Sequence, residues 1–191
     1  MNPVTGPGSG VRVRTQTAIL DAAASVLAHD PTATLPDIAD AAHVGRTTLH
    51  RYFSDRETLI EATVEDSIHV VQQSLAEAAL DQGSPVDAMR RAVAAMVSVG
   101  DRLMFLFGDP GALKAYGATG AAMPSDDPVI ELIERGQAGG VFDTALSADW
   151  IQHVLWVVVL RGCQDADNGG LSRHGVTATV IRTIEGGILA R

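Results

Sequence analysis

Cysteine occurs once, at Cys163, so no intramolecular disulfide can form and a reducing compartment is expected. The surroundings of Cys163 suggest burial rather than reactivity. Long apolar runs are missing as well. The longest strongly apolar stretch, Val154 to Leu160, is far too short to span a membrane. The first ten residues, MNPVTGPGSG, have no apolar core, so no signal peptide is expected. Together these absences predict a cytoplasmic protein with no membrane partner. Catalytic signatures are missing too: there is no His-Glu-x-x-His, no phosphate-binding glycine loop and no Gly-x-Ser-x-Gly. The six His residues are scattered, and a metal site needs three or four ligands to converge. The expectation is therefore no enzyme, no metal and no cofactor.

Positive charge is also short overall, with 14 Lys and Arg against 23 Asp and Glu, a net charge of -9 and a pI near 4.9. That excludes a nonspecific nucleic-acid coat. The distribution carries more information than the total. Residues 1–56 hold five Arg and five Asp, which cancel, so residues 57–191 carry the whole net charge of -9. From His43 to Arg56 there are three Arg against one Asp. At 191 residues and 46% apolar, the chain can bury a sizeable core as one domain or two small ones.

The stretch LPDIADAAHVGRTTLHRYFSDRETL, Leu35 to Leu59, reads as two short helices joined by a tight turn and followed by a longer helix. Thr34 and Asp37 have capping-box spacing, and Pro36 falls in the first turn, where its missing N–H does no harm. Ile38, Ala39 and Ala42 form one apolar face. His43-Val44-Gly45 is the turn, with Val44 plugging the angle between the helices and Gly45 as the next N-cap. In the second helix, Arg46 to Tyr52, Leu49 and then Phe53 face inward. Arg46, Thr47, Thr48, His50, Arg51 and Tyr52 face outward, without an acid among them. Arg pairs bidentately with guanine, Thr offers a hydroxyl or methyl, and Tyr and His reach phosphates. Ser54 and Glu57 have the spacing of a second capping box, which places Arg56 in a first turn as a phosphate clamp. This is a helix-turn-helix, whose second helix is built for the major groove. A plain solvated basic face is the competing reading.

With AILDAAASVLA in the preceding helix and PDIADAAHVGRTTLHRYFSDRETLIEA after it, the stretch from about Thr17 to Ala62 resembles the TetR family of bacterial transcriptional regulators. The resemblance implies that Arg46, Thr47 and Thr48 meet base edges or nearby phosphates. It places His50 where the family usually has a phosphate-contacting Tyr, Tyr52 where it often has His, and Arg56 where Lys is common. Thr34 would contact a phosphate from the start of the second helix. Two positions depart from the pattern. His43 stands where Gly is usual, a position that often wants positive φ and so costs His some strain. Gly45 replaces a common Ser and loses a side-chain cap.

The rest reads as an all-α body of further helices, about nine in the whole chain. The expected division is a disordered arm over 1–10, a helix-turn-helix domain over 11–56, and an effector-binding and dimerisation domain over 57–191. Arg12 and Arg14 are either a minor-groove arm or a solvated tail. The expected helices run from about Val13 to Ala28, Asp55 to Asp81, Pro85 to Phe107, Pro110 to Tyr116, Pro128 to Ala138, Ala148 to Ala166 and Ser172 to Leu189. Residues 117–127 read as a loop. The last two helices are apolar on more than one side, with Gly162, Gly175, Gly186 and Gly187 allowing close approach. The resemblance implies a homodimer through these helices, and Ile151, Leu155, Val158, Gly162, Val180, Ile184 and Ile188 are the expected interface. The alternative is that they fill only the chain's own core. Met96, Met104, Phe105, Phe107, Tyr116, Met123 and Trp156 are either core or the lining of a pocket for an apolar or planar molecule. The resemblance implies a small-molecule effector there, whose binding tilts the fourth helix and changes the spacing of the two heads. His69, Arg102 and Lys114 are candidate polar anchors. The reading is a ligand-responsive regulator, a repressor on a pseudo-palindromic operator. An activator with the same head, or a small-molecule binding protein with a purely structural head, stays open.

Overall fold

The computed structural model describes residues 7–108 and 127–189. Among these, the secondary structure is helical throughout. The elements are α1 (Pro7–His29), α2 (Leu35–Ala41), α3 (Arg46–Tyr52), α4 (Arg56–Glu77), α5 (Pro85–Ser98), α6 (Gly100–Gly108), α7 (Pro128–Ala138), α8 (Ala148–Asp167) and α9 (Arg173–Ile188). Among the described residues there is no strand, only an isolated bridge between Phe142 and Leu189. The all-α expectation holds, because local signals start and stop these helices. Ser84 accepts the Asp87 N–H at the start of α5, Asp127 accepts those of Val129 and Ile130 before α7, and Ser147 accepts that of Trp150 before α8. Gly140, at φ 67°, closes α7, with the Val141 N–H reaching back to the Gly136 carbonyl at 2.8 Å.

Three expected boundaries move. α1 begins at Pro7 rather than near Val13, so residues 7–10 of the expected arm are helical, with proline in a position that needs no N–H. The other six arm residues lie outside the described part, as do the expected helix from Pro110 to Tyr116 and residues 117–126 of the expected loop. α4 stops at Glu77 rather than Asp81. Ala79 there takes φ 48°, and Arg91 donates to the carbonyls of Ala78, Ala79 and Gln82 at 2.8, 2.8 and 2.6 Å. Arg135 donates to those of Leu80 and Asp81. Two guanidiniums thus satisfy the carbonyls that a continuing helix would have used internally. The helix expected from Pro85 to Phe107 is two, because Val99 leaves helical geometry at φ -109°, ψ 27°. Gly100 then starts α6 against α8, where a Cβ would lie 2.7 Å from the Cys163 sulfur.

The chain forms two compact units. One comprises the described parts of Met1–Ile68 and Phe105–Ala121, the other those of His69–Met104 and Ala122–Arg191, so the division falls inside α4. In the first, Ile19, Ala23, Ile38, Ala39, Leu49, Phe53, Leu59 and Val64 are buried. Each large apolar side chain removed from water there contributes roughly 1.5–3 kcal/mol. In the second, α5, α7, α8 and α9 pack through Met89, Val93, Met96, Leu132, Ile133, Ile151, Leu155, Val180 and Ile184, all buried.

Candidate DNA interface

α2 and α3 are held at an angle by the short turn between them. Ala39, fully buried, lets them approach, and its carbonyl accepts the Val44 N–H at 3.0 Å. His43 takes φ 54°, the left-handed conformation that its place in the turn demands. Gly45, in extended conformation, is the N-cap of α3. Leu49 and Phe53 are buried on the inner side of α3, as the four-residue spacing predicted. On the outer side Arg46, Thr47, His50 and Arg51 are exposed, and Thr48 and Tyr52 are half-buried. A seven-residue helix thus presents donors, hydroxyls and cations along one face without an acidic residue.

At the entrance to α2, the Asp37 carboxylate accepts the Thr34 hydroxyl at 2.6 Å and the Thr34 backbone N–H at 2.8 Å. These two hydrogen bonds hold the Asp37 carboxyl below its usual range, with a smaller contribution from the positive charge of Arg46. The hydroxyl proton of Thr34 is therefore committed inside the capping box, and Thr34 reaches a phosphate as a donor only by giving up Asp37.

Arg56 carries contacts within the head that the sequence did not suggest. Its guanidinium is half-buried and donates to the carbonyls of Pro31 at 2.6 Å and Ala33 at 3.3 Å. It ties the start of α4 to the loop before α2, so its first role is to position the head. The second capping box is also revised. Asp55, not Ser54, caps α4, accepting the Thr58 N–H at 2.8 Å and the Ser54 hydroxyl at 2.7 Å. Both bonds depress the Asp55 carboxyl. No local spacing reports Arg56's partners, which lie 23 and 25 residues away.

Sequence alone offers Arg12 as a minor-groove arm or a solvated tail, and the structure gives it a different place. On α1, Arg12 lies 5.8 Å from the centroid of the Tyr52 ring, and Arg51 lies 5.6 Å from the same centroid. A signal was present. Arg12 stands seven residues, two helical turns, before the buried Ile19, so it continues the inward face of α1 past the edge of the core.

The residues expected in the body are placed as follows. Met96 and Met104 are buried in the second unit and Trp156 is half-buried there. Phe105 is buried and Phe107 is 45% exposed, both assigned to the first unit, while Tyr116, Met123 and Lys114 lie outside the described residues. His69 is exposed and Arg102 is buried. A separate cleft of about 280 Å³ in the second unit is lined by Leu75, Leu80, Pro128, Glu131, Leu132 and Arg135 among others.

The expected partner interface requires correction. Ile151, Leu155, Gly162, Val180, Ile184 and Ile188 are buried within the second unit itself, and Val158 is half-buried. A Cβ on Gly162 would lie 2.8 Å from Val176 Cγ1, so this glycine serves the contact between α8 and α9 of the same chain. Side chains buried in one chain have no surface left to offer another. The apolar residues left outward on these helices are others, with Trp150 57% and Val157 64% exposed. On α9, Ala178, Arg182 and Gly186 and, one step round, Thr179, Thr183 and Gly187 are exposed.

With this geometry in view, the comparisons with known proteins agree on one family. The profile of the bacterial regulatory proteins, tetR family, matches residues 19–63. The HTH-type transcriptional repressor LfrR of Mycolicibacterium smegmatis is 33% identical over 95% of this chain and 94% of its own. The HTH-type transcriptional regulator NfxB of Pseudomonas aeruginosa is 26% identical over 80% of this chain and 82% of its own. The crystal structure of LfrR from Mycobacterium smegmatis in complex with proflavine superposes with a TM-score of 0.72 and 29% identity, covering 95% of this chain and 99% of that one. An exposed, acid-free helix set by a tight turn on a buried Leu and Phe, in a chain so similar to LfrR along its length, establishes that this protein belongs to the tetR family of bacterial regulatory proteins and is a DNA-binding transcriptional regulator of the helix-turn-helix type.

Proposed function

We propose that this regulator is a cytoplasmic, ligand-responsive repressor that binds a pseudo-palindromic operator as a homodimer. The observation that carries the reading is the outer face of α3, where Arg46, Thr47, His50 and Arg51 are all exposed around an inward Leu49. In this reading Arg46, Thr47 and Thr48 meet base edges near the start of the helix, and His50, Arg51 and Tyr52 reach phosphates. Residues 11–56 act as the DNA-binding domain and 57–191 as the effector and dimerisation domain. Likeness to a repressor supports the sign of regulation.

The second copy is proposed to dock on the outward side of α8 and α9, through Trp150, Val157 and the small residues of α9. Gly186 and Gly187 support this. Glycine inside a helix costs about 1 kcal/mol relative to Ala. Among the described residues nothing lies within 4 Å of where their Cβ atoms would be, so this chain alone gives no packing reason for them. A partner helix approaching closely supplies one. For the effector, the acidic body and the proflavine complex of LfrR favour a planar cation, bound near Met96, Met104 and Trp156. Such a ligand releases DNA only if it binds the released state more tightly than the bound one.

The test is selection of a random duplex library on the purified protein at physiological salt, followed by sequencing. A recovered palindrome with half-site centres about 34–36 Å apart, or a multiple of that, is the expected result. A folded dimer that enriches no sequence, with or without proflavine, would overturn the operator reading.

A further inference from the structure

Arg12, Arg51 and Tyr52 form a basic feature that the helix-turn-helix motif by itself does not account for. The two guanidiniums lie 5.8 and 5.6 Å from the centroid of one Tyr52 ring. Within about 6 Å of an aromatic face, a cation is attracted by the ring quadrupole. Two cations gathered on one ring also repel each other, and among the described residues neither is ion-paired to a carboxylate. An anion between the two guanidiniums would relieve that repulsion. Together with Val11, the three residues line an open depression of about 260 Å³ on the surface of the first unit, ample for a phosphate group.

The two cations come from different helices and are both fixed. Arg12 lies within α1, well past its first turn, so it is no flexible arm free to enter a minor groove. Arg14, two residues on and about 200° around the helix, points elsewhere, with its guanidinium 3.7 Å from where a Cβ on Gly10 would be. Arg51 lies in the last turn of α3, whose outer face is the proposed reading surface. A group bridging Arg12 and Arg51 would therefore lie beside that surface.

The geometry points to a phosphodiester seat built jointly by α1 and α3, in which Arg12 and Arg51, oriented by the Tyr52 ring, straddle one backbone phosphate of the DNA held by α3. The inference rests on the DNA-binding reading and adds to it a fixed clamp outside the motif. Such a clamp positions the duplex and strengthens binding to every sequence alike, because a phosphate carries no base identity.

The test is the salt dependence of binding by the full-length protein, with a duplex recovered by the selection above and a random-sequence duplex as probes. Each phosphate that the protein no longer neutralises lowers the slope of log K against log salt by about 0.9, so a dimer that gives up one per head changes by about 1.8. R12Q and R51Q should each weaken both duplexes by the same factor, and the double variant should lower the slope by that amount, with neither single variant lowering it more. R12K, which keeps the charge, should retain the slope. R46A is the control and should weaken the selected duplex more than the random one. An R12Q protein with wild-type slope and affinity overturns the clamp while leaving DNA binding intact. A wild type that binds neither duplex overturns the DNA reading and the clamp with it. Inorganic phosphate at matched ionic strength should not compete with DNA beyond the salt effect. Inorganic phosphate that binds the wild type but not R12Q, and leaves the affinity and salt slope for DNA unchanged, would assign the seat to free phosphate and overturn the DNA assignment.

Discussion

Gly136 sits near the end of α7, and replacing a helical glycine by alanine ordinarily stabilises a helix by about 1 kcal/mol. Here the sign should reverse. A Cβ on Gly136 would lie 2.1 Å from Phe142 Cδ2, 2.5 Å from Cε2 and 2.9 Å from Cγ. The ring would have to retreat by more than about 1 Å to reach ordinary contact near 3.5 Å. It has little freedom to do so. Phe142 is 1% exposed, its N–H is bonded to the Gly136 carbonyl at 3.1 Å, and the next N–H, of Asp143, is bonded to the Ile188 carbonyl at 2.8 Å. Moving the ring therefore pulls on both α7 and the end of α9. Overpacking of this kind costs roughly 1–3 kcal/mol and occasionally more, and expelling the phenyl ring costs a similar amount. After the helix-propensity gain, Gly136→Ala should destabilise by up to about 2 kcal/mol. For a chain of this size that lowers Tm by up to roughly 8 °C. Thermal unfolding followed by far-UV circular dichroism measures it. A Tm equal to or above that of the wild type would refute the argument that the glycine is retained for the ring.

Gly186→Ala probes the opposite environment: nothing within the described chain obstructs the new methyl, so the monomer should gain up to about 1 kcal/mol, while a dimer packed on that face should weaken, as sedimentation would show. A variant that stays fully dimeric would remove Gly186 from the proposed interface. Arg56→Ala should cost about 1–2 kcal/mol in urea unfolding by freeing the Pro31 and Ala33 carbonyls, and should leave the salt slope of DNA binding unchanged. A slope lowered by about 0.9 per head would restore Arg56 as a phosphate ligand. Asp37 titrates below its ordinary value of 3.8 in the folded head, so the stability it contributes is present above that pH and is lost as the pH falls through the folded value. Thr34→Val removes the strongest of the bonds responsible, and NMR titration should show the Asp37 pKa rising toward 3.8. An unchanged value would contradict the assignment.

Much of this protein was legible from residue order alone, because the information was local. Capping serines and aspartates mark helix starts by bonds spanning two or three residues, and Gly139-Gly140 marks a stop by its backbone freedom. Leu49 and Phe53, four apart, decide which side of α3 is buried and hence which residues are left outward. The strain at His43 was implied by the family resemblance, which has glycine at that place in the turn, and His43 does take φ 54°. What tertiary structure alone decided depends on partners distant in sequence. Arg56 reads as a free cation at a helix start until the Pro31 and Ala33 carbonyls arrive beside it. Gly100, just after the break at Val99, lies against Cys163, 63 residues on, where a Cβ would be 2.7 Å from the sulfur. α8 and α9 are apolar on two sides, and periodicity reports that two faces are apolar without saying which turns inward. Packing against α5 and α7 makes that choice, burying Ile151, Leu155, Val180 and Ile184 and leaving Trp150 and Val157 outside. A hydrophobic residue lowers the free energy by leaving water wherever it is covered, and only the assembled fold determines what covers it.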